Sequence, residues 1–191
     1  QNRSSDLVII DPASPDLQNV INPLSKIDPQ FKHRFTESLV EIFENLFGSN
    51  WNSNLEHLCR FVCLALLDSP AATISDIPNF LKSKTYRENI ISHSTDEIAK
   101  LFWAEEFESW SEKYNKEAVM PLMAKMGQIL SEPSLKRFFS QTETQIDFKK
   151  IIKEQKIILI NLARDKIGES NSAFFGSLLL TKIQEAGLKN A

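Results

Sequence analysis

The sequence has few glycines, few cysteines and no strong excess of either charge. It contains 5 glycines against 13 phenylalanines, which favours a helix-rich protein with few tight turns. The net charge of −3 and the pI near 5.7 argue against a non-specific nucleic-acid surface, because such a surface needs a basic field. No apolar run reaches about 18 residues, so no membrane span is predicted.

Residues that could form a metal or nucleophile site are sparse. Cys59 and Cys63 lie four residues apart in an apolar helical run, and we interpret them as small buried side chains in a reducing compartment. The 3 histidines, His33, His57 and His93, are scattered and form no H-E-x-x-H pair. No zinc, redox or cysteine-protease site is therefore predicted.

Both glycine-rich nucleotide-binding motifs are missing from the sequence. The run Val8–Asp11 has the apolar residues and aspartate that hold Mg²⁺ in P-loop ATPases, but Pro12 stands where the catalytic acid would follow. We interpret Asp11 as a strand-end residue that caps a turn. Asn161, in the corresponding place after the second strand, is uncharged and unsuited to Mg²⁺. The chain alone is expected to be non-catalytic and to hold no cofactor.

Two apolar runs far apart in the chain predict strands. Ile157–Ile160 is a continuous aliphatic run, typical of a strand covered on both faces, and Leu7–Ile10 is a second short run. A loop is predicted over Ala163–Ser172, followed by a helix over 170–186 that is apolar on nearly all sides. Because a lone strand cannot fold, we expect the two strands to lie close and parallel with this helix packed on them.

The residues between the strands have helical periodicity. Helix 55–67 is apolar all round in its later half and is the candidate central helix of a bundle. The predicted helices cover 31–47, 55–67, 73–81, 85–92, 94–110 with a capping box at Ser94–Glu97, 113–130 interrupted or kinked at Pro121, 133–139 and 148–153. The predicted fold class is mainly α, a helical bundle inserted between two parallel β-strands of an incomplete nucleotide-binding-type α/β core.

Two sets of basic residues are candidate phosphate contacts. Arg164 and Lys166 follow the second strand, and ligands of α/β sheets lie at the carboxyl ends of strands. They are candidate nucleotide or DNA contacts, the competing interpretation being ordinary loop charge. Lys82, Lys84 and Arg87 form a second candidate basic patch, the competing interpretation being a solvated turn.

Three acidic residues, Glu105, Glu106 and Glu108, lie among three aromatic residues, Trp103, Phe107 and Trp110. Such a mixture also occurs where a carboxylate pair faces a sugar on an aromatic platform. We interpret it instead as an amphipathic helix with its aromatic residues inward and its acids outward.

The order of segments along the chain carries a family resemblance. The segments are LVIIDP, NPL, NLEHLCRFVCLALLDSPAATISDIPNFL, RENIIS, FWAEEFESW, EAVMPLMAKMGQILSEPSLKRFF and IDFKKIIKEQKIILINLARDKIGESNSAFFGSLLLTKIQ. From about Leu7 to Ile183 this succession resembles the middle section of conjugative coupling-protein ATPases, the TraG/TraD-like type IV secretion group of the HerA/FtsK-like superfamily. It is a resemblance of pattern and contains no short catalytic signature.

The resemblance implies a RecA-like motor domain interrupted by an all-α domain. Residues 1–30 and 155–191 would be parts of the motor core, and 31–154 the all-α domain. Such ATPases are ring hexamers that couple ATP hydrolysis to the movement of DNA or protein. Their phosphate-binding loop would precede this chain and their Mg²⁺-binding and catalytic acids would follow it, so ATP and Mg²⁺ are expected in the parent protein.

The resemblance also implies a role for the all-α domain. In the family this domain is associated with the docking of transfer substrates and of accessory proteins such as those of the relaxosome. The alternative is that the loop Arg164–Gly168 contributes nucleotide or DNA contacts to a DNA-pumping ATPase. Either protein would be cytoplasmic, with the parent at the cytoplasmic face of the inner membrane.

Overall fold

Two short strands, far apart in the chain, form a parallel pair. The computed structural model describes residues 3–15, 19–25 and 27–188. Strand β1 spans Leu7–Ile10 and strand β2 spans Ile157–Ile160, with Leu7 opposite Ile157 and Ile10 opposite Ile160. The Asn161 N–H donates to the Ile10 carbonyl at 2.9 Å and extends the ladder. The predicted parallel pairing is confirmed.

Helices make up most of the described chain outside the sheet. The α-helices are α1 (Lys32–Phe47), α2 (Ser53–Asp68), α3 (Ile77–Lys82), α4 (Lys84–Ser92), α5 (Glu97–Leu101), α6 (Glu112–Tyr114), α7 (Met120–Leu130), α8 (Pro133–Phe139), α9 (Phe148–Lys153), α10 (Arg164–Ile167) and α11 (Glu169–Leu188). Two π-helical turns cover Phe102–Glu106 and Asn115–Val119, and short 3₁₀ turns cover Ser4–Asp6, Pro29–Phe31, Gly48–Asn50, Ile74–Asp76 and Phe107–Ser109. The described chain is therefore mainly helical with a small parallel sheet, as predicted.

Helix α2 is the central helix that its apolar pattern predicted. The Asn52 side chain caps its first turn by accepting from the N–H groups of Asn54 and Leu55, each at 3.0 Å. Every residue from Phe61 to Leu66 is buried. Burial of each large apolar side chain contributes about 1.5–3 kcal/mol, so this one stretch is a major source of stability.

Helix α11 joins the strand region to the helical block. Its Phe174 ring lies 5.8 Å from Phe43 of α1, and its Phe175 ring meets Phe138 of α8 edge-on at 5.0 Å. Ile10 of β1 belongs to the same continuous cluster of buried residues. The domain boundaries predicted after residues 30 and 154 stay predictions, and no gap in the packing marks either of them in the described residues.

The expectation that the strands are covered on both faces is wrong for the described residues. Successive strand side chains point to opposite faces, and Val8, Ile10, Ile158 and Ile160 pack toward the helical core. The alternate residues are open to solvent: Leu7 is 37%, Ile9 49%, Ile157 39% and Leu159 51% exposed. Among the residues described, one layer of helices covers one face of the sheet. Only every second apolar side chain of the two strands therefore packs against the core.

The loop predicted over Ala163–Ser172 is also wrong. The chain forms α10 immediately after Ala163 and begins α11 at Glu169. Ala163 and Gly168 have φ angles of 47° and 83° and flank α10 on either side. The positive φ angles at these two positions change the course of the backbone on either side of α10, so the connection needs no extended loop.

The capping box predicted at Ser94–Glu97 does not form. Asp96 is the N-cap of α5, and its carboxylate accepts from the N–H groups of Ile98 and Ala99 at 3.0 and 3.1 Å. The Ser94 hydroxyl donates instead to Asp68 at 2.9 Å. Aspartate caps a helix as well as serine does. Because Asp96 caps α5, the Ser94 hydroxyl is available to donate to Asp68.

The helix predicted over 113–130 is interrupted next to Pro121, by the π-helical turn Asn115–Val119. Pro121 has no N–H with which to bond the Glu117 carbonyl four residues earlier. The Asn52 side chain donates to that carbonyl at 3.2 Å and replaces the missing bond. The interruption is therefore stabilised by a side chain from the start of α2.

Candidate functional site

The carboxyl ends of β1 and β2 carry a small polar network. The Asn161 amide donates to Asp11 Oδ2 at 2.9 Å, and Asp11 Oδ1 accepts from the Ala13 N–H at 2.8 Å. Asn161 Oδ1 in turn accepts from the Ala163 N–H at 2.9 Å. These contacts confirm that Asp11 caps the turn at the end of its strand.

Arg164 and Lys166 both lie on α10, just after this carboxyl edge. Arg164 is exposed and forms an ion pair with Glu169 at 2.6 Å, and Lys166 is exposed as well. Asp165 lies between them, so the two cations are balanced by two neighbouring carboxylates. The structure brings the two predicted residues together, and their contact with nucleotide or DNA stays a prediction.

The three residues of the second basic set have different surroundings. Arg87 is 6% exposed, and its guanidinium donates to the Phe80 and Leu81 carbonyls at 3.1 and 3.3 Å. It thereby satisfies carbonyl groups in the last turn of α3. Lys82 and Lys84 are exposed. Phosphate binding by the set stays a prediction, and the Arg87 guanidinium already has protein partners.

Glu108 neutralises two members of this basic set. Its Oε1 accepts from Arg87 at 2.6 Å, and its Oε2 accepts from Lys84 at 3.3 Å. The hydrogen bond from Arg87 is the main cause that holds the pKa of Glu108 below its ordinary value. Arg87 also lies 4.8 Å above the centre of the Phe107 ring, a cation–π contact. Arg87 therefore stabilises the packing of the 107–108 segment on α3 and α4.

Exposed aliphatic side chains lie on the uncovered side of the sheet. We call them the outer apolar face, which consists of Leu7, Ile9, Ile157 and Leu159, each 37–51% exposed. Leu162 connects the strands to α11, since a Cβ placed on Gly176 would lie only 3.1 Å from its Cδ2. A patch of neighbouring aliphatic side chains of this kind marks a surface that another structural layer covers.

The two cysteines are buried in α2 and free, as the sequence analysis predicted. Burial raises the pKa of the Cys63 thiol to about 12 and that of Cys59 well above its ordinary value. The thiolate is the reactive form, so neither side chain is set up as a nucleophile.

Sequence reasoning missed two polar pairs that join distant segments. Lys32 of α1 pairs with Asp68 at the end of α2 at 2.7 Å, with both side chains about nine-tenths buried. His57 of α2 donates to Glu106 of the first π-helical turn at 2.8 Å. No local pattern signals either pair, because each depends on the packing of helices.

The comparisons with known proteins add no relatives: no family model, no curated protein and no solved structure matches the chain. Within residues 3–15, 19–25 and 27–188, no helix is both long enough and apolar enough to cross a membrane. The same residues contain no group of three or more histidine, cysteine, aspartate or glutamate side chains placed to hold a metal ion.

Proposed function

We propose that this chain is the substrate- or accessory-protein-docking helical domain of a conjugative coupling-type ATPase, together with two strands and one helix of its RecA-like motor core. The observation that carries the proposal is the parallel pairing of β1 with β2 across the largely helical residues 11–156. By itself the chain would not be catalytic. ATP and Mg²⁺ would be bound elsewhere in the parent protein, a homo-hexamer at the cytoplasmic face of the inner membrane.

The outer apolar face supports the motor-core half of the proposal. Parallel sheets occur almost only with both faces covered, and two strands alone are too few for a stable sheet. Here the face formed around Ile9 and Leu159 is half exposed among the described residues. Further layers of an α/β core would bury it, as the family resemblance implies.

Exposed apolar side chains on the helical block support the docking half. Ile98 is 69% and Leu101 57% exposed, and both lie on α5, away from the strands in sequence. They lie three residues apart and therefore on neighbouring positions of one helical face. Burial of this exposed apolar pair against a partner protein would be favourable.

A first test is calorimetric titration of the purified chain with Mg²⁺ and ATP and, separately, with single-stranded DNA. We expect no tight ATP binding. Tight Mg²⁺-dependent binding of ATP would contradict the proposal. The full gene supplies a second test, because it should encode a phosphate-binding loop upstream and an apolar run followed by Asp-Glu downstream.

A third test addresses docking in the full-length protein. We expect the double substitution Ile98→Glu and Leu101→Glu to lower transfer in a mating or secretion assay while the ATPase rate is retained. The matched control is Ile152→Glu, at a residue of α9 that is 40% exposed and should tolerate the change. Unchanged transfer would contradict docking through α5.

The alternative, DNA or nucleotide contact through the loop after β2, is supported by one observation. Arg164 and Lys166 are exposed together at the carboxyl edge of the parallel pair, where ligands of α/β sheets lie. Salt-sensitive DNA binding that is lost in the double substitution Arg164→Gln and Lys166→Gln would favour this function over docking. The balancing charges of Asp165 and Glu169 weigh against it.

A further inference from the structure

A polar groove with an aromatic wall lies between the start of α2 and residues 106–114. It has a volume of about 470 Å³ and is lined among others by His57, Glu106, Trp110 and Tyr114. We propose that this groove binds the side chain of an arginine residue on a partner protein.

The aromatic wall is formed by Trp110 and Tyr114. Their ring centres are 5.4 Å apart and their planes are inclined by 30°, so the two rings lie partly face to face in a tilted stack. Tyr114 is 42% exposed. A planar cation stacks favourably on such a surface, because the π-faces of tryptophan and tyrosine attract positive charge.

The groove also presents one carboxylate and no lysine or arginine. His57 donates to Glu106 Oε1, and no described residue donates to Oε2. The nearby lysines are already paired, Lys116 with Glu112 at 2.7 Å and Lys113 with Glu117 at 3.8 Å. The groove therefore offers a carboxylate oxygen to an incoming donor, and no lysine or arginine lines it.

The groove is held in shape by the buried ring of Phe102. His57 meets this ring edge-on at 5.1 Å, and Trp110 meets it edge-on at 5.7 Å. Phe102 is itself stacked on Phe61 of α2 at 4.1 Å. Because both sides of the groove pack on one buried ring, little ordering is needed when a ligand enters.

This combination favours a guanidinium group over other ligands. Arginine stacks on aromatic rings and donates in its own plane to carboxylate oxygens, whereas the lysine ammonium is a strongly hydrated point charge. The hydroxyls of Ser109 and Ser111 line the same groove and supply further acceptor atoms. A neutral sugar would use the rings and hydroxyls but would gain nothing from the charge of Glu106.

The proposal that this arginine belongs to a partner protein rests on the proposed docking function. The cation site itself does not depend on the motor core, so its test is made on the chain alone. If the groove binds arginine but the Ile98→Glu and Leu101→Glu double variant does not impair transfer, the docking function is contradicted and the arginine site is supported. If the double variant impairs transfer but the groove does not bind arginine, only the arginine site is contradicted.

The experiment is a titration followed by two-dimensional NMR. The probe is a blocked glycine–arginine–glycine peptide, and its neutral control is the same peptide with citrulline. We expect saturable shifts of the Trp110 indole N–H and of the Ser109 and Ser111 amides with a millimolar dissociation constant, about 1 mM. The citrulline peptide should bind about tenfold or more weakly, since it lacks the charge.

Variants decide between a specific site and general attraction. Glu106→Gln should weaken arginine binding about tenfold and Tyr114→Ala about fivefold. Glu105→Gln is the matched control, because Glu105 is an exposed carboxylate next to Glu106 in the chain but does not line the groove. It should leave the affinity unchanged.

Three results would overturn the proposal. They are equal shifts with the citrulline peptide, an equal loss of affinity in Glu105→Gln and Glu106→Gln, and the absence of any saturable shift in a chain that remains folded. Stronger shifts with a neutral disaccharide than with the arginine peptide would assign the groove to a sugar instead.

Discussion

The buried ion pair between Lys32 and Asp68 should contribute strongly to the free energy of unfolding of the helical block. Lys32 is in the first turn of α1 and Asp68 is the last residue of α2, so the pair ties the two longest packed helices of the block together. Asp68 Oδ2 also accepts from the Ser94 hydroxyl and the Thr95 N–H, each at 2.9 Å. One carboxylate oxygen thus fixes three segments.

The expected magnitude follows from burial. Removing one partner of a buried ion pair costs about 3–5 kcal/mol, because the other charge stays buried without compensation. Thr95 is exposed, so water can replace its bond to Asp68. We therefore expect Asp68→Ala to lower the free energy of unfolding by about 3–4 kcal/mol and Lys32→Met by about 2–3 kcal/mol. For a chain of this length, a loss of about 3 kcal/mol lowers the Tm by roughly 6–12 °C.

The assay is urea unfolding followed by circular dichroism, with a double-mutant cycle. The double variant Lys32→Met and Asp68→Ala should be more stable than the sum of the single effects predicts, by about 1–3 kcal/mol. Lys116→Ala is the control, because its pair with Glu112 is exposed and worth about 0.3–0.5 kcal/mol. If Asp68→Ala costs no more than this control, the pair behaves as a solvated one and the reasoning is refuted.

The same pair gives the stability a dependence on pH. Burial alone would raise the pKa of Asp68, but the hydrogen bond from Lys32 and those from Thr95 and Ser94 outweigh it and hold the pKa below 3.8. A carboxyl group with a lowered pKa in the folded state stabilises the protein above its ordinary pKa and loses this contribution as the pH falls through the folded value. The gap in urea midpoint between the wild type and Asp68→Asn should therefore shrink below about pH 3.8. A constant gap across this range would contradict the assignment.

Three other features of the chain give predictions that can be checked on purified protein. Arg87→Met should lower the free energy of unfolding by about 2–4 kcal/mol in urea titrations, because it leaves the Phe80 and Leu81 carbonyls without this donor and removes one of the two donors to Glu108. Ile9→Thr with Leu159→Thr should reduce concentration-dependent association in sedimentation velocity and change stability by less than about 1 kcal/mol. Cys59 and Cys63 should resist Ellman's reagent in the folded chain and react after unfolding in urea, because burial raises their pKa values.

Matched variants control the first two of these predictions. Lys84→Met removes the exposed partner of Glu108 and should cost less than about 1 kcal/mol. Val8→Thr changes the inner side of β1 and should lower stability without reducing association. Equal costs for Arg87→Met and Lys84→Met, or equal association in the outer and inner strand variants, would contradict the corresponding prediction. Thiols that react in the folded chain would contradict the third.

The elements that the sequence predicted well are those that local patterns determine. The strand Ile157–Ile160 is a run of aliphatic residues too short for a helix, and the helix Phe148–Lys153 follows a helix-capping aspartate. The burial of α2 from Phe61 to Leu66 follows from its lack of a polar face. In each case neighbouring residues supply enough information, because the competing local structures are unfavourable.

The features that could not be predicted depend on packing between distant segments. The Glu117 carbonyl next to the second π-helical turn is satisfied by Asn52, 65 residues away in the chain. Arg87 is buried because its guanidinium donates to Glu108 and to carbonyls at the end of α3. A cluster of basic residues in the sequence does not indicate these partners. The pairing of His57 with Glu106 depends likewise on the position of the first π-helical turn beside α2. A sequence pattern locates such residues but does not assign their partners.

The outer apolar face and the helical block can be perturbed separately, because their contacts are made by different side chains. The rings of Phe43, Phe138, Phe174 and Phe175 connect α1, α8 and α11 without any outer-face residue. The strands contribute to this core through their inner side chains, such as Ile10. Substitutions at Ile9 or Leu159 therefore report on what covers the sheet, while substitutions at Glu106 or Tyr114 report on the groove. A loss of function in one set with retention in the other would assign that function to a surface directly, with no change of fold to confuse the result.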